Sequence, residues 1–286
     1  MSSITATPLA PTFGLEISGL DLSKELTSKE IEFIRKAWLD ASGLLLFRDQ
    51  QISPDDHVRL TSYFGRPDRD GAKDSPVLAH YFLQGHPEIY RVSNKKVDGK
   101  PLGREDAGTY WHADGSWMTN QPRGSILHAL ELPRVGGDTM FADLAGAYDA
   151  LSPPIQSLLS DLTAIHTVLK AALGTSYAKE YAGKLEQAAQ KSSVKPVILK
   201  HPINGRPAIG VNPGFTQKIL ELSDLESDAI LTMLFEHCTK PEFVYRHRWQ
   251  LHDVAMWDNY SNMHYAVANY KAHGYRLLNR TTVLLD

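Results

Sequence analysis

The chain contains many short segments with the pattern of β-strands, and helices do not separate these segments regularly. They are Phe13–Leu22, Gly43–Phe47, Glu88–Ser93, Ser125–Leu130, Asp138–Phe141, Val197–His201, Ala208–Val211, Phe243–Trp249, Val254–Trp257 and Asn279–Leu285. A doubly wound parallel sheet needs a helix between successive strands, so this order argues against that fold. The sequence instead predicts a mainly β core, a sandwich or jelly roll, with helices outside it.

Three helix starts carry recognisable caps. Thr27 with Glu30, and Ser223 with Glu226, have the spacing of capping boxes, and Ser53 precedes a proline at the first helical position. Residues 66–73 are predicted to be a surface loop because five of the eight are charged. The pattern predicts one domain over residues 1–286.

The segment from Thr167 to Lys195 lacks a clear apolar period and is rich in Ala, Lys, Gly and Ser. Long segments without such a period are often mobile and functional. We therefore expect residues 167–195 to be a lid insertion.

Composition narrows the class of protein. The 286 residues are 42% hydrophobic and 22% charged, with a formal net charge of −3, which argues against a general nucleic-acid binder. The single cysteine, Cys238, allows no intrachain disulfide, and no apolar run is long enough to cross a membrane. The N-terminus has no signal-peptide pattern, so the expected location is the cytoplasm.

Three residues could bind a metal ion together. His112 and Asp114 are two apart, which places both side chains on one side of an extended segment. His264 lies far downstream, beyond the strand pattern that ends at Trp257. Two histidines and one carboxylate on one face of a metal leave adjacent coordination positions open, a pattern typical of non-haem Fe(II) oxygenases.

Arg276 and Arg280 follow His264, and their separation of four puts both on one face of a strand. A guanidinium can hold a carboxylate through two parallel hydrogen bonds. A dicarboxylate that chelates the iron at one end would need such a partner at the other. Arg280 would then serve either that dicarboxylate or an anionic substrate, unless an internal acid pairs with it.

Two other functions use similar residues. A zinc hydrolase can also bind its metal through two histidines and a carboxylate, but it needs a general base that the sequence does not reveal. A metabolite sensor of the same fold would be expected to lack one metal ligand, and none is missing here.

Taken in order, these motifs resemble the taurine dioxygenase and chlorophenoxyacetate dioxygenase family of Fe(II)/2-oxoglutarate enzymes. The resemblance extends over nearly the whole chain and is concentrated in Trp111–Asp114, Gly136–Phe141, Phe243–Trp249, Trp257–Ala266 and Tyr270–Thr282. It implies a double-stranded β-helix, also called a jelly roll. It also implies a dioxygenase that uses Fe(II), O2 and 2-oxoglutarate to oxidise a C–H bond, releasing succinate and CO2.

The resemblance implies roles for individual residues as well. His112, Asp114 and His264 would bind iron, and Thr139 and Arg276 would hold the distal carboxylate of 2-oxoglutarate. Arg280 would lie near the inner carboxylate of the co-substrate and the acidic head of the substrate.

His80 and Tyr81 fall in the region where family members contact substrate, although the taurine-type pattern is not reproduced there. The expected partner is a small molecule, a carboxylate or sulfonate, with no nucleic acid or membrane, and the chain is expected to form homo-oligomers. His247 and His252 have no place in the motif, and Asp258 and Asn259 are expected to orient the His264 loop.

Overall fold

A computed structural model of the chain describes residues 4–74, 76–174 and 181–285, which form many short strands and fewer helices. The strands are β1 (Thr5–Pro8), β2 (Leu15–Ser18), β3 (Leu44–Phe47), β4 (Arg66–Pro67), β5 (Phe82–Leu83), β6 (His86–Ser93), β7 (Lys96–Val97), β8 (Lys100–Pro101), β9 (Gly124–Glu131), β10 (Thr139–Asp143), β11 (Thr163–Thr167), β12 (Ser192–Pro196), β13 (Ile198–Lys200), β14 (Pro207–Ile209), β15 (Thr216–Ile219), β16 (Val244–His247), β17 (Val254–Asp258), β18 (Asn262–Ala266) and β19 (Leu277–Leu284). The α-helices are α1 (Ser28–Asp40), α2 (Pro54–Ser62), α3 (Gly71–Asp74), α4 (Leu144–Asp149), α5 (Pro153–Leu159), α6 (Val168–Gly174), α7 (Leu185–Gln190) and α8 (Asp224–Cys238). Short 3-10 helices span Pro76–Tyr81, Pro241–Phe243 and Lys271–His273.

The strands form a large sheet, two three-stranded sheets and two hairpins. The large sheet has the order β1-β2-β3-β17-β9-β19-β6-β5, and β4 also pairs with β19. The small sheet has the order β16-β10-β18, and the third sheet has the order β12-β11-β15. All the pairings are antiparallel except that between β2 and β3. The predicted mainly β fold is confirmed.

The run Leu44–Phe47 explains how the large sheet is packed. Leu45 and Phe47 are buried with α1 and α2 on one face, whereas Leu44 and Leu46 are buried against Phe141 of the small sheet on the other. A strand covered on both faces needs apolar residues at every position rather than at alternate ones. The large sheet is therefore a central layer between two helices and the small sheet.

The predicted caps are present in the structure. Thr27, Ser53 and Ser223 each accept a hydrogen bond from the backbone N–H three residues later, and each begins its predicted helix. In all three cases the backbone N–H of the cap residue donates to the side-chain carboxylate of the third helical residue, which completes a capping box. Among the helices of the described residues, none has the length and apolarity to cross a membrane.

Two segments contain more secondary structure than the sequence predicts, residues 66–73 and the described parts of 167–195. Residues 66–73 are not all loop, because β4 pairs with β19 and α3 begins at Gly71. The described parts of 167–195 contain α6, α7 and β12, while residues 175–180 lie outside the described residues. Helices of seven and six residues cover too few turns to show a sequence period, which is why the pattern missed them.

Two buried histidines lie between α2 and the large sheet. The ring centroids of His57 on α2 and His128 on β9 are 6.2 Å apart. Burial lowers the pKa of His57 to about 3 and that of His128 to about 4, and a neighbouring histidine adds to each effect. Both imidazoles therefore stay neutral in the folded protein, whereas an unfolded histidine titrates near 6.5.

These two histidines predict an acid-sensitive stability. Their contribution is complete above about pH 6.5 and is lost as the pH falls, because the unfolded chain then binds protons first. We expect the free energy of unfolding to fall by up to about 1.4 kcal/mol per pH unit for each histidine. Urea unfolding near pH 7 and near pH 5 measures this fall, which should be smaller in His128→Gln. The exposed His273→Gln variant is the control, and an equal fall in His128→Gln and the wild type would contradict the prediction.

Candidate active site

Two histidines meet through direct pairing of their backbones. The amide of His112 donates to the carbonyl oxygen of His264 at 3.1 Å, and the amide of His264 donates to that of His112 at 2.8 Å. His264 lies on β18 and is paired with Phe141 on β10, so the small sheet fixes its position. The ring centroids of the two histidines are 4.1 Å apart. The loop that carries His112 is thus attached to the small sheet at this residue.

Asp114 completes a group of three. Its Oδ1 lies 3.6 Å from Nε2 of His112, and its Oδ2 lies 4.0 Å from Nε2 of His264. One nitrogen or oxygen atom from each residue lies within 4.8 Å of the others, and both histidines are buried. The structure therefore brings together the three residues that the sequence proposed as metal ligands.

The protonation of the group suits a divalent metal. Nδ1 of His112 donates to the carbonyl oxygen of Tyr110 at 2.8 Å, which leaves the lone pair on Nε2. Burial holds the pKa of His264 well below its ordinary value, so this imidazole is neutral. Burial opposes ionisation of Asp114, but the guanidinium of Arg280 favours the carboxylate, and the pKa of Asp114 stays well below its ordinary value. Two imidazoles and a carboxylate are a donor set that fits Fe(II).

Both oxygens of Asp114 also have protein partners. Arg280 donates from Nη1 to Oδ1 at 3.0 Å, and Ser125 donates from Oγ to Oδ2 at 2.7 Å. The backbone amide of Asp114 donates to Oδ1 of Asn259 at 3.3 Å. An internal acid therefore pairs with Arg280, the alternative that the sequence left open. Asn259 contacts the loop of Asp114 as well as preceding the His264 strand.

A small cavity of about 40 Å³ lies beside the two histidines and is also lined by Thr139, Arg276 and Arg280. Arg276 is 2% exposed, donates from Nη2 to Oγ1 of Thr139 at 3.2 Å, and donates from Nε to the carbonyl oxygen of Gly137 at 2.9 Å. Burial lowers the pKa of Arg276 to about 10. In the part of the chain that the structure describes, no carboxylate forms an ion pair with this guanidinium. Such a buried cation is well suited to an anionic ligand.

A second cavity, of about 120 Å³, lies on the other side of Gly108, His112 and Arg280. Its aromatic lining consists of Phe82, Tyr90, Tyr110, Trp117 and Phe215. Its charged lining also includes Asp68, Glu88 and Arg104. The two cavities therefore share His112 and Arg280, and they form a small chamber at Thr139 and Arg276 and a larger aromatic chamber.

Sequence reasoning located the aromatic chamber only in part. His80 is exposed and Tyr81 lines a neighbouring cavity, whereas Leu78 and Phe82 of the same segment line the chamber. Phe215 follows a loop after β14 and carries no sequence signal that would link it to His112. Trp117 could have been found, because it lies only three residues after Asp114.

The remaining candidates lie outside the metal group. Nε2 of His247 lies 3.1 Å from Oδ2 of Asp253, and the ring of His252 lies 6.0 Å from that of His128. Asp258 is buried, with Oδ2 3.1 Å from Nε2 of His201.

Comparison with known proteins gives a consistent result. The family model described as "Taurine catabolism dioxygenase TauD, TfdA family" matches residues 5–282. This chain belongs to that family. It is 33% identical to the alpha-ketoglutarate-dependent 2,4-dichlorophenoxyacetate dioxygenase of Cupriavidus pinatubonensis, with 99% of each chain covered. It is 29% identical to an alkylsulfatase of Acinetobacter baylyi, covering 96% of this chain and 83% of the relative.

Solved structures agree. The fold is similar to that of AAD-2 in complex with Mn(II) and N-oxalylglycine, with a TM-score of 0.83, 31% identity, and 99% and 98% of the two chains covered. It is also similar to a taurine dioxygenase from Burkholderia xenovorans, with a TM-score of 0.81, 30% identity, and 100% and 90% covered. The predicted family and the predicted class of enzyme, a 2-oxoglutarate-dependent dioxygenase, are confirmed.

Gly108 provides a test of the metal group. A Cβ at Gly108 would lie 2.8 Å from Cε1 of His112, whereas a Cβ at Gly99 would meet nothing within 4 Å. The two glycines have similar positive φ angles, +72° and +76°, so alanine strains the backbone alike at both. We expect Gly108→Ala to weaken Mn(II) binding roughly 10- to 100-fold, as loss of ligand orientation does in metal sites. Calorimetric titration with Gly99→Ala as control measures this, and equal affinities in the two variants would contradict it.

Proposed function

We propose that the protein is an Fe(II)- and 2-oxoglutarate-dependent dioxygenase that oxidises a C–H bond of a small organic anion, with conversion of 2-oxoglutarate to succinate and CO2. The observation that carries the proposal is the buried Arg276, which lines one cavity with His112 and His264, two of the three residues of the candidate metal group.

His112, Asp114 and His264 would hold the iron. Bound Fe(II) supplies the activation of O2 that oxidation of an unreactive C–H bond requires. The protein keeps both imidazole Nε2 atoms available by burying His264 and by donating Nδ1 of His112 to a backbone carbonyl. Arg280 and Ser125 hold the carboxylate of Asp114, so the ligand is already oriented.

Thr139 and Arg276 would hold the distal carboxylate of 2-oxoglutarate. The indole of Trp249 donates to Oγ1 of Thr139 at 3.0 Å, which leaves the hydroxyl hydrogen of Thr139 available to the ligand. N-oxalylglycine, bound in the related structure, differs from 2-oxoglutarate only by an N–H in place of a methylene. The chamber beside Arg276 in this chain has the positive charge that such a dicarboxylate needs.

The aromatic chamber would take the prime substrate, with its anionic group towards Arg280. Relatives carry the names of dioxygenases of 2,4-dichlorophenoxyacetate, sulfonates and sulfate esters, all of them anions. Because Arg280 already forms an ion pair with Asp114, the charge of its guanidinium does not by itself require an anionic substrate. The relatives therefore provide the main support for a carboxylate or sulfonate substrate.

The architecture fits a jelly roll. We propose that the large and small sheets are the two halves of a double-stranded β-helix in one domain, because Phe141 of β10 and Trp257 of β17 are buried in one cluster between them. The described parts of 167–195 would close over the aromatic chamber, since Trp117 lines that chamber and packs against the cluster that includes Val168 and Tyr181. Cytoplasmic location and self-association stay predictions.

Removing the carboxylate ligand tests the function. We expect Asp114→Ala to lose Fe(II)-dependent succinate formation from 2-oxoglutarate, because the iron would lose its only anionic side-chain ligand. Anaerobic loading with Fe(II) followed by oxygen, with sulfonates, aryloxy acids and sulfate esters as substrates, measures succinate. Asp149→Ala, at an exposed position, is the control. Full activity in Asp114→Ala would refute the assignment.

Substitutions of Arg276 and Arg280 should change different Michaelis constants. Arg276→Ala should raise the KM for 2-oxoglutarate roughly 10- to 100-fold, because it removes a charge-assisted hydrogen bond to the carboxylate. Arg280→Gln should raise the KM of the prime substrate more than that of 2-oxoglutarate. If Arg280→Gln moves only the co-substrate constant, or if the best substrate is neutral, the anionic substrate is wrong.

A further inference from the structure

A buried lysine lies close to the metal group without an acid beside it. Lys195 on β12 is 9% exposed and donates from Nζ to Oε1 of Gln121 at 2.8 Å. Burial alone lowers its pKa to about 8. In the described residues no carboxylate forms an ion pair with it. A buried cation of this kind is costly to maintain and needs an explanation.

The side-chain amide of Gln121 connects Lys195 to Asn259 in one orientation only. An ammonium only donates, so Lys195 forces the amide oxygen of Gln121 to face it. The amide nitrogen must then point the other way, and it donates to the backbone carbonyl oxygen of Asn259 at 2.8 Å. Without Lys195 the amide oxygen of Gln121 would lose its hydrogen-bond donor, and the side chain that holds the carbonyl of Asn259 would be fixed less firmly.

Asn259 connects Gln121 to Asp114, one of the candidate metal ligands. Its Nδ2 donates to the carbonyl oxygen of Pro122 at 3.4 Å, which fixes the orientation of its own amide. Its Oδ1 accepts from the backbone amide of Asp114 at 3.3 Å. Lys195 is therefore linked to the backbone of Asp114 through hydrogen bonds to Gln121 and Asn259, and the backbone and side chain of Asn259 form the covalent link between the last two bonds.

A second contact joins the same two elements. Ser193, two residues before Lys195 and on the same face of β12, donates from Oγ to the carbonyl oxygen of Ser116 at 3.1 Å. The third sheet is thereby bonded to both ends of the loop 114–121, which also carries Trp117 and Met118 of the aromatic chamber. Movement of β12 would be transmitted to Asp114.

We propose that Lys195 is a positioning residue that sets the backbone of Asp114, and hence the affinity of the metal group, through Gln121 and Asn259. This inference rests on the proposed role of Asp114 as a metal ligand. The lysine does not touch the metal or substrate. Its ammonium orients the amide of Gln121, which holds the backbone of Asn259, and the side chain of Asn259 holds the backbone amide of Asp114.

The experiment measures Mn(II) affinity by calorimetry and, in parallel, the free energy of unfolding of the metal-free proteins. Lys195→Met should weaken Mn(II) binding roughly 3- to 30-fold, a range typical of residues that act through a contact network. Gln121→Glu is the decisive variant. Its carboxylate still accepts from Lys195, so the fold keeps its buried pair, but it cannot donate to Asn259 and should weaken Mn(II) binding as Lys195→Met does.

Two comparisons separate positioning from a structural effect. Lys170 is another half-buried lysine, which donates to the carbonyl oxygen of Thr216, and Lys170→Met should leave Mn(II) affinity unchanged. Lys195→Met should add nothing in an Asn259→Ala background, because residues in one network are not additive.

Unchanged Mn(II) affinity in Lys195→Met or Gln121→Glu, or full additivity with Asn259→Ala, would overturn the inference while the wild type still binds Mn(II). Absence of Mn(II) binding by the wild type, or full binding by Asp114→Ala, would overturn the proposed metal group itself.

Discussion

The pairing of the backbones of His112 and His264 is the interaction on which the site depends. It joins the loop that precedes β9, a strand of the large sheet, to β18 of the small sheet, so the metal group straddles two layers of the fold. Backbone hydrogen bonds do not depend on side-chain rotamers, and the two imidazoles therefore start from fixed positions. The core cluster around Phe141 and Trp257 holds the two sheets at the distance that this pairing needs.

The two arginines beside this pairing have different electrostatic environments. Arg276 is buried with a threonine hydroxyl and a carbonyl oxygen as its polar partners, while Arg280 is already paired with Asp114. The first arginine is the one that gains most from an added carboxylate, because burial has removed its water and none of the carboxylates that the structure describes forms an ion pair with it. Two arginines four residues apart on the chain therefore have different environments. That difference supports a co-substrate chamber beside Arg276 and a substrate chamber beyond Arg280.

The sequence predicted well wherever a local rule applied. The capping boxes at Thr27 and Ser223 follow from residues three apart, and the buried strand Leu44–Phe47 follows from an unbroken apolar run. The helices within 167–195 were missed because they are too short to show a period. The strand at Arg66–Pro67 was missed because its two residues pair with the distant Leu284 and Val283, and nothing local records that pairing.

The sequence by itself determined the chemistry available to this protein: two histidines, an aspartate and two arginines, in an order that resembles one enzyme family. It also determined that Arg276 and Arg280 can share a face, because side chains alternate along a strand. Only the tertiary structure decided that Arg280 meets Asp114, that Phe215 joins the aromatic chamber, and that Lys195 reaches the Asp114 loop through two amides. These contacts join residues far apart in the chain, and their partners are chosen by the packing of the sheets against one another rather than by any neighbouring residue.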